Sequence, residues 1–383
     1  MRNVINRNKL FILGIFLYFI GSSFLWVNIA ATRIIQLAAI ALFVISYRIK
    51  SGENIKYPVS YKILILFTLF CGVFIIIRSN RNDILSIVTK ICSADGVLEY
   101  LAPLLMFFPL YKYFNNILII TTNVLYVYVL SILITLPMIM IIIRGYNVIY
   151  TVSLLYLFLA GSLPFLIIFF NYLSRKQQKI VLIATFMTGL VAVWLGRRGM
   201  LLEILLAYLF FLFIWLSKQR NAPIKLIIVS ITGMIIYLYL PTLFNLSPFQ
   251  KITEKGFNDT RTGVEVYLWD DLNQDFNTIL YGKGIDGKYF APHIDATNDD
   301  RYSIETGYLH LILKGGVVYL VLMALIFLLP MIKGLFRGRS TISKCATLYL
   351  LHGICMMYPG NPFRFMPSFF FMWLCVSLIY RKI

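Results

Sequence analysis

Negative charge is scarce in this sequence. Only 16 of its 383 residues are Asp or Glu, against 35 Lys and Arg, and the four charged types together make up 13%. Globular domains carry about 25% charge, so the polar surface needed to clothe a soluble fold is missing. Histidines number three and cysteines five, with no H-E-x-x-H or C-x-x-C spacing, which leaves no framework for a metal or a redox pair. A nucleophile elbow and a P-loop are also lacking. Together these absences exclude a soluble enzyme, a disordered chain and a disulfide-built secreted module. A net charge of +19 remains, but a chain this poor in polar residues is a poor binder of nucleic acid. Where the charge sits is the question.

What is abundant is apolar: 60% of residues, with a mean hydropathy of +0.81. A membrane-crossing helix needs about 20 mostly apolar residues. Twelve apolar runs can be read, the fourth, eleventh and twelfth of them short: Leu10–Trp26, Ala31–Tyr47, Ile63–Ile77, Val97–Leu110, Ile117–Ile143, Tyr150–Tyr172, Ile180–Leu195, Leu201–Leu216, Ile224–Leu243, Thr306–Ile332, Cys345–Tyr358 and Pro367–Tyr380. They predict an all-α polytopic membrane protein. The first run follows Arg2, Arg7 and Lys9 as a signal peptide would, but it is too long for one and more spans follow, so it reads as an uncleaved first span. With the N-terminus inside, the inner loops and tails collect twenty of the cations, with Glu53 as their sole acid. Fifteen cations and fifteen acids are left for the outer face and the spans. Cytoplasmic loops concentrate Lys and Arg, so both termini are expected in the cytoplasm. Four of the cysteines lie in apolar runs and Cys92 in an outer loop, which suits packing roles.

The chain therefore divides into spans one to nine (1–243), a large outer loop (244–305) and spans ten to twelve (306–383). Long loops in compact proteins are usually functional, and this one holds eleven of the acids, counting Glu305. Thr262 and Glu265 have capping-box spacing, and Val264, Leu268, Leu272 and Phe276 follow at four-residue steps. They predict a short amphipathic helix from Gly263 to Asp275. Gly282, Gly284 and Gly287 match G-x-G-x-x-G literally, but without a preceding strand and a following helix they read as tight turns. Ile84, Ile87, Val88 and Ile91, after Asp83, suggest an interfacial helix.

Cations on the outer side run against the insertion bias. The arginines among them are Arg33, Arg78, Arg81, Arg144, Arg197, Arg198, Arg261, Arg301 and Arg364, and Lys314 lies inside span ten. Arginine presents a planar fork of donors that suits phosphate oxygens, and a cluster facing one cavity would hold a pyrophosphate. The alternative for each is a local acid partner, such as Glu203 for Arg198, or a reach to the interface. Glu305, His310 and Lys314 place three titratable groups at one end of span ten and suggest a water-accessible site. The alternatives are an acid favoured by a helix N-terminus and a satisfied bundle histidine. Gly315-Gly316 suits close packing of another helix. His293 and His352 stand isolated.

At these residues the sequence resembles the Wzy-type O-antigen and capsular polysaccharide polymerases, relatives of the O-antigen ligases. The resemblance rests on twelve spans with a large outer loop late in the chain, and on Arg261 followed by Leu268-Trp269 and Leu280-Tyr281-Gly282, Gly284 and Tyr289. It rests also on Glu305-Thr306 with Tyr308-Leu309 and Gly316, and on Arg198-Gly199 at an outer turn. It covers residues 180–330. Ligases have His-Asn or His-Ser where Glu305-Thr306 stands, which favours the polymerase.

The resemblance implies a GT-C-like helical bundle in the bacterial inner membrane and metal-independent glycosyl transfer on its periplasmic face, with no cofactor. The partners it implies are undecaprenyl-pyrophosphate-linked glycans as donor and acceptor, the lipid bilayer and a chain-length regulator protein. Arg261 and Arg198 would hold the pyrophosphate, supported by Arg197, Arg144, Arg364, Arg301 and Arg78. Glu305 would orient or deprotonate the attacking hydroxyl, with His310 as its substitute. The rival expectation is a lipid-linked oligosaccharide flippase or other secondary transporter. Against it, the long loop is not at the halfway point and no repeat of broken helices is evident.

Overall fold

A computed structural model describes residues 2–23, 29–47, 57–78, 90–91, 96–108, 110–142, 159, 161–195, 198–217, 260–292, 299–337, 340–358, 360 and 363–381. The fold is mostly helical. Its helices are α1 (Arg2–Ser23), α2 (Ile29–Tyr47), α3 (Val59–Ile77), α4 (Val97–Leu101), α5 (Phe114–Ile142), α6 (Arg175–Leu195) and α7 (Arg198–Ser217). They continue with α8 (Thr260–Leu272), α9 (Phe276–Tyr281), α10 (Gly307–Arg337), α11 (Thr341–Cys355) and α12 (Pro367–Tyr380). Residues 161–168 are also helical. The one sheet among the described residues is a hairpin of β1 (Tyr289–Phe290) and β2 (Asp300–Arg301), with Tyr289 opposite Arg301.

Among the described residues, five helical segments are long and apolar enough to cross a membrane: Ile29–Ser46, Val59–Ile77, Leu110–Leu133, Gly199–Leu216 and Gly307–Phe336. Their outward faces are apolar as well. On α3 the buried stripe is Tyr61, Ile65, Thr68, Gly72 and Ile75, while Ile63, Leu66, Phe67, Phe70 and Ile77 are exposed. Water would penalise such a surface, whereas lipid tails would not. The chain is a membrane-embedded helical protein.

Most of the apolar runs expected from sequence fall on helices. Val97–Leu110 differs: α4 gives way at once to a 3-10 helix, Ala102–Phe107, with Pro103 near its start. Pro103 has no N–H to donate to the preceding turn, while Ala102 before it keeps φ -53° and ψ -36°. The run Ile224–Leu243, most of the segment from Ile84 to Ile91, and the positions of Arg81, Arg144, Arg197 and His293 lie outside the described residues. Arg198 and Arg261 are placed by backbone, in the first turns of α7 and α8.

The bundle has two unlike ends. One carries residues 260–306 and is called the loop end; the opposite is the tail end. At the tail end Tyr57, Tyr61 and Tyr380 pack ring against ring, with centroids 4.9–5.1 Å apart. The Lys333 ammonium lies 4.1 Å over the Tyr380 ring. Pro330 interrupts α10, and because proline lacks an N–H the carbonyl four residues earlier loses its helical donor. That carbonyl belongs to Ile326, and the Tyr61 hydroxyl donates to it at 2.7 Å.

Candidate functional site at the loop end

The loop folds against α10 by burying its own small core. Leu268, Leu272, Tyr289, Ala291 and Ile304 pack with Leu309, Ile312 and Leu313. The helix expected over Gly263–Asp275 runs instead over Thr260–Leu272, so Thr262 lies inside it and is no N-cap. The apolar stripe ends at Leu272: Phe276 is exposed and begins α9. Asp275 caps α9, accepting from the Asn277 amide at 3.1 Å and the Thr278 hydroxyl at 3.0 Å. These donors, the amide first, hold the Asp275 carboxyl below its ordinary pKa. Ion pairs join Lys283 to Asp271, Lys288 to Asp300 and Lys90 to Asp286.

The loop and α10 then meet backbone to backbone. Gly282 and Gly316 both have φ near +70° with extended ψ, a conformation essentially reserved for glycine. A Cβ on Gly316 would lie 2.1 Å from the Leu280 carbonyl oxygen, and one on Gly282 would lie 2.4 Å from Lys314 backbone. The break at Gly316 leaves the carbonyls of Leu313 and Lys314 to accept from the amides of Lys283 and Gly284 at 2.8 and 2.9 Å. Lys314 is buried, and its ammonium donates to the carbonyls of Ile285 and Gly287 at 2.9 and 2.8 Å. The Ile285 amide reaches the end of α3 at Ile75 O, 3.3 Å away. The G-x-G-x-x-G run is thus a seam against a broken helix, and Gly315-Gly316 admits a loop where a helix was expected.

Glu305, His310 and Lys314 do not form one water-accessible group. Glu305 is exposed ahead of α10, whereas His310 and Lys314 are buried. What the loop brings to Glu305 is α8. Glu265 accepts from the Thr306 hydroxyl at 2.5 Å, a role its capping-box spacing did not suggest. Arg261 stands one turn before Glu265 on α8, so the backbone sets its position and the Glu305-Thr306 pair at the same corner. On the other side the Gly307 amide donates to Met357 O at 2.8 Å, which docks the segment between α11 and α12 that carries Arg364.

That segment reaches a second, buried cluster. Arg33 on α2 is fully buried; its guanidinium donates to Gln36 Oε1 at 2.8 Å and lies 3.6 Å from the Glu99 carboxylate on α4. Gln36 Nε2 donates to Ser22 Oγ at 3.0 Å and Phe365 O at 3.4 Å, and the Tyr18 hydroxyl donates to Met366 O at 3.0 Å. The one signal for Glu99 in the sequence was an acid inside an apolar run, which is rarely without purpose.

The remaining expected site residues are dispersed. Arg78 ends α3 beside Gly284, and Arg301 sits in β2 opposite Tyr289, where burial raises the Tyr289 pKa and Arg301 opposes the rise. His352 is buried with a ring nitrogen 3.1 Å from the Glu203 backbone carbonyl, and its ring stacks on Tyr349. Among the described residues no group of three or more His, Cys, Asp and Glu is arranged to hold a metal ion. No family model, curated protein or solved structure matches this chain.

Proposed function

We propose that this chain is a membrane glycosyltransferase of the O-antigen or capsular polymerase type. It works in a bacterial inner membrane as a twelve-span bundle with both termini in the cytoplasm and the loop end in the periplasm. The donor is a growing glycan on undecaprenyl pyrophosphate, and the acceptor is the non-reducing-end hydroxyl of a lipid-linked repeat unit. The bond from the sugar anomeric carbon to the pyrophosphate oxygen breaks, and a bond to the acceptor oxygen forms. The hydroxyl proton passes to Glu305, and the lipid pyrophosphate departs. Its charge calls for fixed cations rather than a base, and the hydroxyl calls for a positioned proton acceptor. Arg261 and Arg198 supply the first role, with Arg364 in support.

The observation that carries this reading is the Thr306–Glu265 contact, which sets the first turn of α8 against the Glu305 corner. A second reading has one feature in its favour. Transporters build substrate sites from discontinuous helices, and α10 is broken at Gly316. The Leu313 and Lys314 carbonyls at that break, however, are engaged by loop amides.

The surface-glycan pattern of a deletion strain tests the choice. Loss of a polymerase leaves one repeat unit on the acceptor lipid, whereas loss of a flippase or of the ligase leaves none. Arg261→Ala and Glu305→Gln, at normal membrane levels, are expected to slow elongation about 100-fold and keep the single-unit pattern. Full ladders from both would remove these residues from the mechanism.

A further inference from the structure

We infer that Arg33, Glu99, Gln36 and Tyr18 form a buried brace that positions Arg364, and that they act on the reaction through that arginine. What Arg364 does there rests on the glycosyl-transfer reading; the brace itself does not.

The chain of contacts is directional. An amide side chain can point either way until a neighbour decides. Here the Arg33 guanidinium, a donor only, claims Gln36 Oε1 at 2.8 Å, so the NH2 group must face the other way. Its two protons go to Ser22 Oγ and Phe365 O. Ser22 Oγ donates its single proton to Tyr18 O at 2.7 Å and so receives Gln36 as an acceptor. The next carbonyl along, Met366 O, is held by the Tyr18 hydroxyl. Two consecutive carbonyls are therefore pinned from α1 and α2. The Met366 amide closes a tight turn onto Arg364 O at 2.6 Å, so pinning Phe365 and Met366 pins the backbone of Arg364.

Glu99 makes the arrangement tolerable, since Arg33 is 0% exposed and Glu99 7%. A buried ion pair is seldom more stable than an apolar pair of the same shape, so stability alone does not account for one at this depth. Orientation does: the carboxylate holds the guanidinium, the guanidinium sets the amide, and the amide holds the turn. All of this lies one to two residues from a cation at the loop end, where a displacement of about 1 Å can lower turnover about 100-fold.

The test has two arms, both with the full-length chain. In the first, the five native cysteines are replaced by alanine, Arg364→Cys is introduced, and labelling by a membrane-impermeant maleimide is timed. Gln36→Leu is expected to speed labelling about tenfold, and Tyr18→Phe, which leaves every ring in place, to speed it less. Unchanged labelling in both variants overturns the brace. In the second arm the glycan ladder is scored for Gln36→Leu, Arg364→Ala and the pair. The double variant is expected to be no worse than Arg364→Ala, because the brace acts only through that residue. Additive losses would show a merely structural role and overturn the inference. A full ladder from Arg364→Ala, with labelling still responsive to Gln36→Leu, would keep the brace and overturn its link to catalysis. Failure of the glycosyl-transfer reading itself would appear in the deletion strain and leave the labelling arm untouched.

Discussion

The two ends of the bundle are held together by different kinds of contact. At the tail end side chains meet side chains: three tyrosine rings, a lysine over one of them, and a hydroxyl that repairs the carbonyl left by Pro330. At the loop end main chain meets main chain across Gly282 and Gly316, and a buried ammonium fastens the turn that follows. Rings can shift rotamer and refill a gap, but two backbones within contact distance cannot yield to an added carbon. The loop end should therefore be brittle and the tail end forgiving.

The largest expected effect is at Gly316. Gly316→Ala forces an alanine into a glycine-only conformation and drives its methyl into the Leu280 carbonyl, at a cost of about 3 kcal/mol or more. Limited proteolysis of the detergent-solubilised protein should cut residues 260–306 much faster, and an unchanged digest would deny the seam. Tyr61→Phe at the tail end should be milder. It keeps the rings and removes one donor from Ile326 O, costing about 1 kcal/mol in thermal unfolding and leaving the loop digest as it was. A rise in loop cleavage would break the distinction between the ends.

The smallest effect sharpens the picture within the loop. The Asp275 carboxyl is stabilised as the anion by the Asn277 amide and the Thr278 hydroxyl. Its contribution to the α9 cap is present at neutral pH, above the ordinary value of about 3.9. It is lost as pH falls through the lowered value. Hydrogen exchange at Asn277 and Thr278 should quicken there in the native chain, and Asp275→Asn should flatten that dependence.

How much of this was legible in the sequence follows the same division. The helices were, because a run such as Ile63 to Ile77 has to be helical in lipid whatever its neighbours do. The break after α4 was missed in the expected span Val97–Leu110, although Pro103 stands at it. The position of α8 was misjudged by three residues, since the Thr262–Glu265 spacing fits a capping box and Glu265 instead meets Thr306, 41 residues on. Local spacing carries no information about such a partner. The three glycines were readable as turns, but the backbone they press against was not. Lys314 read as a titratable group in a site, whereas its partners are carbonyls almost thirty residues earlier. Glu99 passed unremarked, because its partner Arg33 lies on a different helix.

The bond from the Ile285 amide to Ile75 O joins positions 210 residues apart. A ribosome making this chain at 5–20 residues per second therefore finishes α3 roughly ten to forty seconds before the loop that closes its end exists. The partner arrives only when residues 280–316 have emerged and α10 has entered the bilayer. Assembly of the loop end is thus a late event in biogenesis, and the first half of the molecule must wait, inserted but open, for the second.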